Sequence, residues 1–209
     1  MDKHRVIIVP FAGGISCAFS ELTQLLEDKF DVSTVEMKGH GTRYAEGLCM
    51  SWDELVNDVE KTIDDILSTK QSYSLFGYSM GAKIVYDIAS RKVKKGDIPK
   101  HIFFVAAEPP HIQNNSESHY SSSIDEIYTI YHHDVSLDKQ FNVNISEISK
   151  LGCNISVLYS DDEDKMALLG WKKYTDNNCS YYYIGNSHMF IYEEAEMIAQ
   201  VISKEIMER

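Results

Sequence analysis

The stretch from Tyr73 to Ala89 constrains this chain more than any other. Tyr73-Ser74-Leu75-Phe76 has the composition of a buried strand, and Ala82-Lys83-Ile84-Val85-Tyr86-Asp87-Ile88-Ala89 has the apolar spacing of a helix. Only Gly77-Tyr78-Ser79-Met80-Gly81 separates them. A strand that passes into a helix through so short a turn strains the backbone at its tip, which is Ser79. It also brings strand and helix so close that side chains at the flanking positions would collide, which explains glycine at 77 and 81. The turn therefore holds one hydroxyl out at the end of a strand.

The remaining sequence repeats the same alternation. Apolar runs at Arg5–Pro10, Asp31–Glu36, His101–Ala107, Ile155–Tyr159 and Ser180–Ile184 read as further strands. Helical spacing appears at Ala18–Phe30, from Ser51 to Leu67, near Met166–Tyr174 and over Glu193–Met207. Ser51 with Glu54 three residues on forms a capping-box pattern. Strands alternating with helices predict an α/β domain whose mostly parallel sheet is covered on both faces. Between Glu108 and Lys150 the pattern loosens, with a polar loop over His111–Ser123 and short helices expected at Ile124–Tyr131 and Ile145–Ser149.

The 209 residues suit one domain, and neither a linker nor a fixed-period repeat divides them. A net charge of −12 disfavours nucleic acid and anionic membrane as partners. The basic cluster Arg91, Lys92, Lys94 and Lys95 reads as a helix end opposing the dipole, with a docking patch for an acidic partner as the alternative. Absence of a signal-peptide pattern and of a membrane-length apolar run predicts a cytoplasmic protein. Cys17, Cys49, Cys153 and Cys179 lack metal-site spacing and are expected to be reduced.

A serine hydroxyl becomes a nucleophile when a base takes its proton, so the turn calls for a histidine held by a carboxylate further along the chain. Of the histidines after Ser79, His101 opens a strand at the wrong edge of the sheet. His111, His119, His132 and His133 fall in the irregular stretch. His188 follows a strand by the short loop Gly185-Asn186-Ser187 and is the expected base. The acid should follow the fifth strand, where Asp161-Asp162-Glu163-Asp164 leaves the choice open. Counting strictly from the strand end favours Asp161 to Glu163, whereas a turn of the G-x-x-D type favours Asp164. Asp164 is the expectation and Asp162 the alternative. The four carboxylates lack the alternation and glycine of a calcium loop, so no metal is expected. Oxyanion donors are expected at the backbone of Met80 and, in the loop Pro10-Phe11-Ala12-Gly13-Gly14, of Ala12.

VIIVPFAGG, KGHGTR, FGYSMGA and GNSHMF together resemble the stand-alone type II thioesterases of nonribosomal peptide and polyketide synthesis, over most of the chain. The resemblance implies an α/β-hydrolase fold with a lid near residues 108–150. It also implies hydrolysis of acyl groups from the phosphopantetheine arm of an acyl or peptidyl carrier protein, with no other cofactor. By position it assigns Ser79 as nucleophile, His188 as base, the Asp161–Asp164 turn as source of the acid, and Met80 and Ala12 as oxyanion donors. The chain departs from the family pattern at Asn186-Ser187-His188-Met189-Phe190, at Ala107-Glu108-Pro109-Pro110 and in a shorter lid. A general carboxylesterase of small esters and a non-catalytic binding protein are the competing expectations.

Overall fold

A computed structural model describes residues 3–67, 71–112 and 126–207. Its strands are β1 (Arg5–Val9), β2 (Asp31–Thr34), β3 (Tyr73–Tyr78), β4 (His101–Val105), β5 (Asn154–Ser160) and β6 (Cys179–Gly185). Its helices are α1 (Ser20–Leu26), α2 (Trp52–Ile66), α3 (Met80–Lys94), α4 (Glu126–Asp138), α5 (Lys165–Leu168) and α6 (Ala195–Met207). The strands form one sheet in the order β2-β1-β3-β4-β5-β6, and every pairing is parallel. This is the α/β architecture expected from the alternation.

The two-residue period of each strand feeds two separate cores. Ile7, Val9, Leu75, Ile102 and Phe104 meet Val56, Val59 and Ile63 of α2 and Ile84, Val85 and Ile88 of α3. Val6, Ile8, Phe76, Phe103 and Val105 meet Leu22 and Leu26 of α1 and Ile198 and Ile202 of α6 on the opposite face. The chain steps from β1 outward to β2 and returns to pair β3 on the other side of β1. Loops after β1 and β3 therefore emerge side by side at the carboxyl edge, where such sheets place ligand chemistry.

Ser51 caps α2 by accepting the Glu54 N–H at 3.2 Å. The Glu54 carboxylate reaches back to the Met50 N–H at 2.9 Å rather than to Ser51's own. The helix expected over Ala18–Phe30 is shorter, a 3-10 turn over Ser16–Phe19 leading into α1. The region expected helical near Met166–Tyr174 divides into α5 and a 3-10 stretch over Leu169–Tyr174.

Helix α4 runs past the boundary expected at Tyr131. Polar contacts with the body hold the helix through His132-His133-Asp134 and beyond. His133 Nε2 lies 2.7 Å from the Cys49 carbonyl, Asp134 meets His40, and Asp138 accepts from Lys83 at 2.7 Å. Ile124, His119 and most of the expected His111–Ser123 loop lie outside the described residues. The cations at the C-terminal end of α3 are largely paired: Arg91 with Asp87, Lys92 between Asp64 and Asp97, and Lys95 with Glu60. That pairing leaves little free charge for an acidic partner and favours the reading as a helix end. Among the described residues no helix is long and apolar enough to cross a membrane.

Candidate active site

Ser79 sits between β3 and α3 with φ 53° and ψ −116°, the strained tip that the sequence requires. Backbone contact explains both flanking glycines. A Cβ on Gly77 would lie 2.4 Å from the Gly81 carbonyl oxygen, and one on Gly81 would lie 2.2 Å from that of Val9. Neither obstacle is a side chain that could swing away. Gly81→Ala should therefore cost about 3 kcal/mol or more and remove activity, checked by thermal melting and a serine-directed fluorophosphonate probe.

His188 arches back from the end of β6 and places Nε2 3.1 Å from Ser79 Oγ. Its Nδ1 lies 2.7 Å from Glu163 Oε1. A carboxylate oxygen accepts, so Nδ1 carries the proton and Nε2 is free to take one from the serine. Glu163 is the carboxylate on the imidazole; neither Asp164 nor Asp162 is. Asp164, the expected acid, is the N-cap of α5, where its carboxylate accepts the Met166 N–H at 2.8 Å. Asp162 Oδ2 instead accepts the backbone N–H of His188 at 2.7 Å and so fixes the histidine loop. Asp161 faces the Tyr183 hydroxyl and Lys165.

The difference has a physical cause. Four successive residues leave β5 on a turn, and the turn decides which one points inward. Glu163 does, with its side chain 6% exposed against 42% for His188. Its longer stem reaches the ring, and its other oxygen accepts from the Ser160 N–H at 2.7 Å and the Ser160 hydroxyl at 2.8 Å. Burial pushes the Glu163 carboxyl upward, but the hydrogen bonds from His188 and Ser160 prevail and hold it below the ordinary glutamate value. One sequence signal did separate Asp164 from Glu163. Asp164 directly precedes Lys-Met-Ala-Leu, the pattern of a capped helix start.

Tyr78 is a contributor that motif reading passes over. Fully buried beneath the turn, it donates its hydroxyl to the His188 carbonyl at 2.6 Å and accepts the Ile191 N–H at 3.3 Å. Burial raises its pKa, so it remains a protonated donor.

Both expected oxyanion donors lie at this edge. Met80 is the first residue of α3, where an N–H has no partner within the helix. In the loop after β1, Gly14 N–H donates to the Phe11 carbonyl at 2.8 Å. That carbonyl shares a planar trans peptide with the Ala12 N–H, so the Ala12 N–H points the opposite way, out of the turn. Gly13 N–H is held by Asp134 Oδ2 at 2.7 Å.

Comparison with known proteins bears on the family and the fold. A thioesterase domain family model matches residues 4–132, more than half of the chain. The gramicidin S biosynthesis protein GrsT of Aneurinibacillus migulanus is 27% identical over 111 residues, 53% of this chain and 43% of GrsT. The chain thus spans less than half the length of that curated relative. ClbQ from the colibactin NRPS/PKS pathway superposes with a TM-score of 0.87 at 19% identity, covering 98% of this chain and 97% of ClbQ. The type II thioesterase BorB from the borrelidin biosynthetic cluster gives 0.83 at 20% identity, covering 99% and 95%. These structural likenesses concern the fold, while the family match concerns the sequence itself: the chain belongs to the thioesterase domain family.

Proposed function

We propose that this protein is a type II thioesterase that hydrolyses acyl groups from the phosphopantetheine arm of a carrier protein in nonribosomal peptide or polyketide synthesis. The observation that carries the reading is the line Ser79 Oγ, His188 Nε2, His188 Nδ1, Glu163 Oε1, with contacts of 3.1 and 2.7 Å, set on a strained turn. The thioesterase family match and the relatives named for peptide and polyketide pathways support the substrate class.

In this reading Ser79 Oγ attacks the thioester carbonyl while its proton passes to His188 Nε2. Glu163 steadies the imidazolium, and the N–H groups of Met80 and Ala12 receive the oxyanion. The carbon–sulfur bond breaks, and the departing pantetheine sulfur takes the proton from His188. Water then gives a proton to His188 and attacks the acyl-serine ester. Release of the acid returns that proton to Ser79.

The test is a comparison of kcat/KM on acyl-loaded carrier proteins, acyl-CoA and p-nitrophenyl esters. Carrier-bound thioesters should be preferred by at least about tenfold, equivalent to about 1.4 kcal/mol of transition-state discrimination. A preference for the simple esters would make the protein a carboxylesterase. Failure of Ser79 to react with a fluorophosphonate probe would point to a non-catalytic binding protein.

A further inference from the structure

A second histidine–carboxylate pair touches the Pro10–Gly14 loop at Gly13. His40 Nε2 is 2.8 Å from Asp134 Oδ2, and the two side chains are 1% and 2% exposed. His40 Nδ1 lies 3.0 Å from the Lys38 carbonyl oxygen. A carbonyl can only accept, and the carboxylate oxygen already accepts the Gly13 N–H at 2.7 Å. Both ring nitrogens therefore face acceptors, an arrangement that suits imidazolium against carboxylate. Burial opposes the charge on His40, but Asp134, the Lys38 carbonyl and Glu36 outweigh it, and the pKa is raised.

Other charged groups around His40 have partners of their own. Lys38 is paired with Glu54 of α2, and Arg43 with Glu46 and with Asp58 of α2. Glu36 accepts from the Ser16 N–H at 2.9 Å and the Ser16 hydroxyl at 2.8 Å. The loop after β1 is thus held by one carboxylate at Gly13 and another at Ser16. Gly13 also sits directly on α4 with φ 70°, where a Cβ would lie 3.1 Å from that of Tyr131.

We propose that His40 and Asp134 are positioning residues for the hydrolysis. Their buried pair grips the Gly13 amide from α4 and so keeps the neighbouring Ala12 N–H aimed at the oxyanion. This rests on the reading of Ser79, His188 and Glu163 as a hydrolase site. Asp134 forms the link because its Oδ2 touches both His40 and the Gly13 amide. A neutral His40 has one N–H for two acceptors and no charge beside the carboxylate, so the pair loses its ion-pair hold and the grip loosens.

The raised pKa of His40 sets the direction of the pH dependence. The intact pair is fully present below about pH 6.5, the ordinary imidazole value. It is lost as pH rises through the higher folded-state value. Wild-type kcat on an acyl ester or thioester should therefore fall on the alkaline side. Asp134→Ala should lower kcat by about 10- to 100-fold with KM within about twofold, because a misaimed donor affects only the transition state. Its affinity for a trifluoromethyl ketone, whose adduct carries the oxyanion, should fall in parallel.

Asp134→Asn can keep an amide oxygen on the Gly13 N–H, and without the carboxylate charge it no longer favours imidazolium at His40. It should retain most activity and lose the alkaline fall, and it decides the matter if the alanine variant does not fold. A wild-type protein that reacts with a fluorophosphonate and turns over, beside an Asp134→Ala variant of unchanged kcat or an Asp134→Asn variant with the alkaline fall intact, overturns the positioning role alone. A wild-type protein inert to the probe overturns the hydrolase reading, and the positioning role with it.

Discussion

Ser79→Ala is expected to lower kcat/KM by about 10⁶-fold and to abolish reaction with a fluorophosphonate, while the melting transition stays close to that of the parent protein. Losing the nucleophile of such a site removes almost all the acceleration, and only the oxyanion donors and substrate binding persist. The fold should tolerate the change. Ser79 has φ 53°, a strain that alanine inherits, and its hydroxyl makes one hydrogen bond with His188. Losing that bond costs about 1 kcal/mol. Steady-state kinetics and calorimetry on the same preparation test both halves. Turnover by the variant at more than about a thousandth of the parent rate would remove Ser79 from the mechanism.

Glu163→Gln is expected to lower kcat by about 10⁴-fold, because an amide would no longer hold His188 in the tautomer that leaves Nε2 free. Asp164→Ala should leave kcat within about twofold while costing about 1 kcal/mol of stability, the worth of a helix cap. The contrast is sharp because the two residues are adjacent. A large kinetic loss in Asp164→Ala with little in Glu163→Gln would reverse the assignment. The depressed pKa of Glu163 adds a pH signature. Its contribution to stability is present above its unfolded value, near pH 4.5, and is lost as pH falls through the lower folded value. Glu163→Gln should flatten that acid-side dependence.

Much of the fold was legible because it rests on periodicity. Val6, Ile7, Ile8 and Val9 are all apolar because β1 is buried on both faces, and Val59 and Ile63 keep helical spacing because α2 is buried on one. Ser79 was legible because its flanking glycines answer a backbone collision that any side chain would suffer. His188 was legible because chain order and a strand end sufficed to place it. The acid was not. Which of four successive carboxylates points inward is set by the turn and by Ser160, whose N–H and hydroxyl hold Glu163. The His40–Asp134 pair was invisible for another reason. Its partners lie 94 residues apart, and their contact exists only once α4 has docked. The same docking carried α4 beyond its expected end at Tyr131.

The Tyr78 hydroxyl gives the site a common datum. In the sheet, β6 lies three strands from β3, a span of about 14 Å at ordinary spacing. Small errors of twist and breathing would add across those intervals before reaching His188. Tyr78, the residue immediately before Ser79, instead holds the His188 carbonyl and the Ile191 amide directly. His188 is thus surveyed from the strand that ends at Ser79, and the tolerance between Oγ and Nε2 is set over one tyrosine side chain rather than over the width of half the sheet.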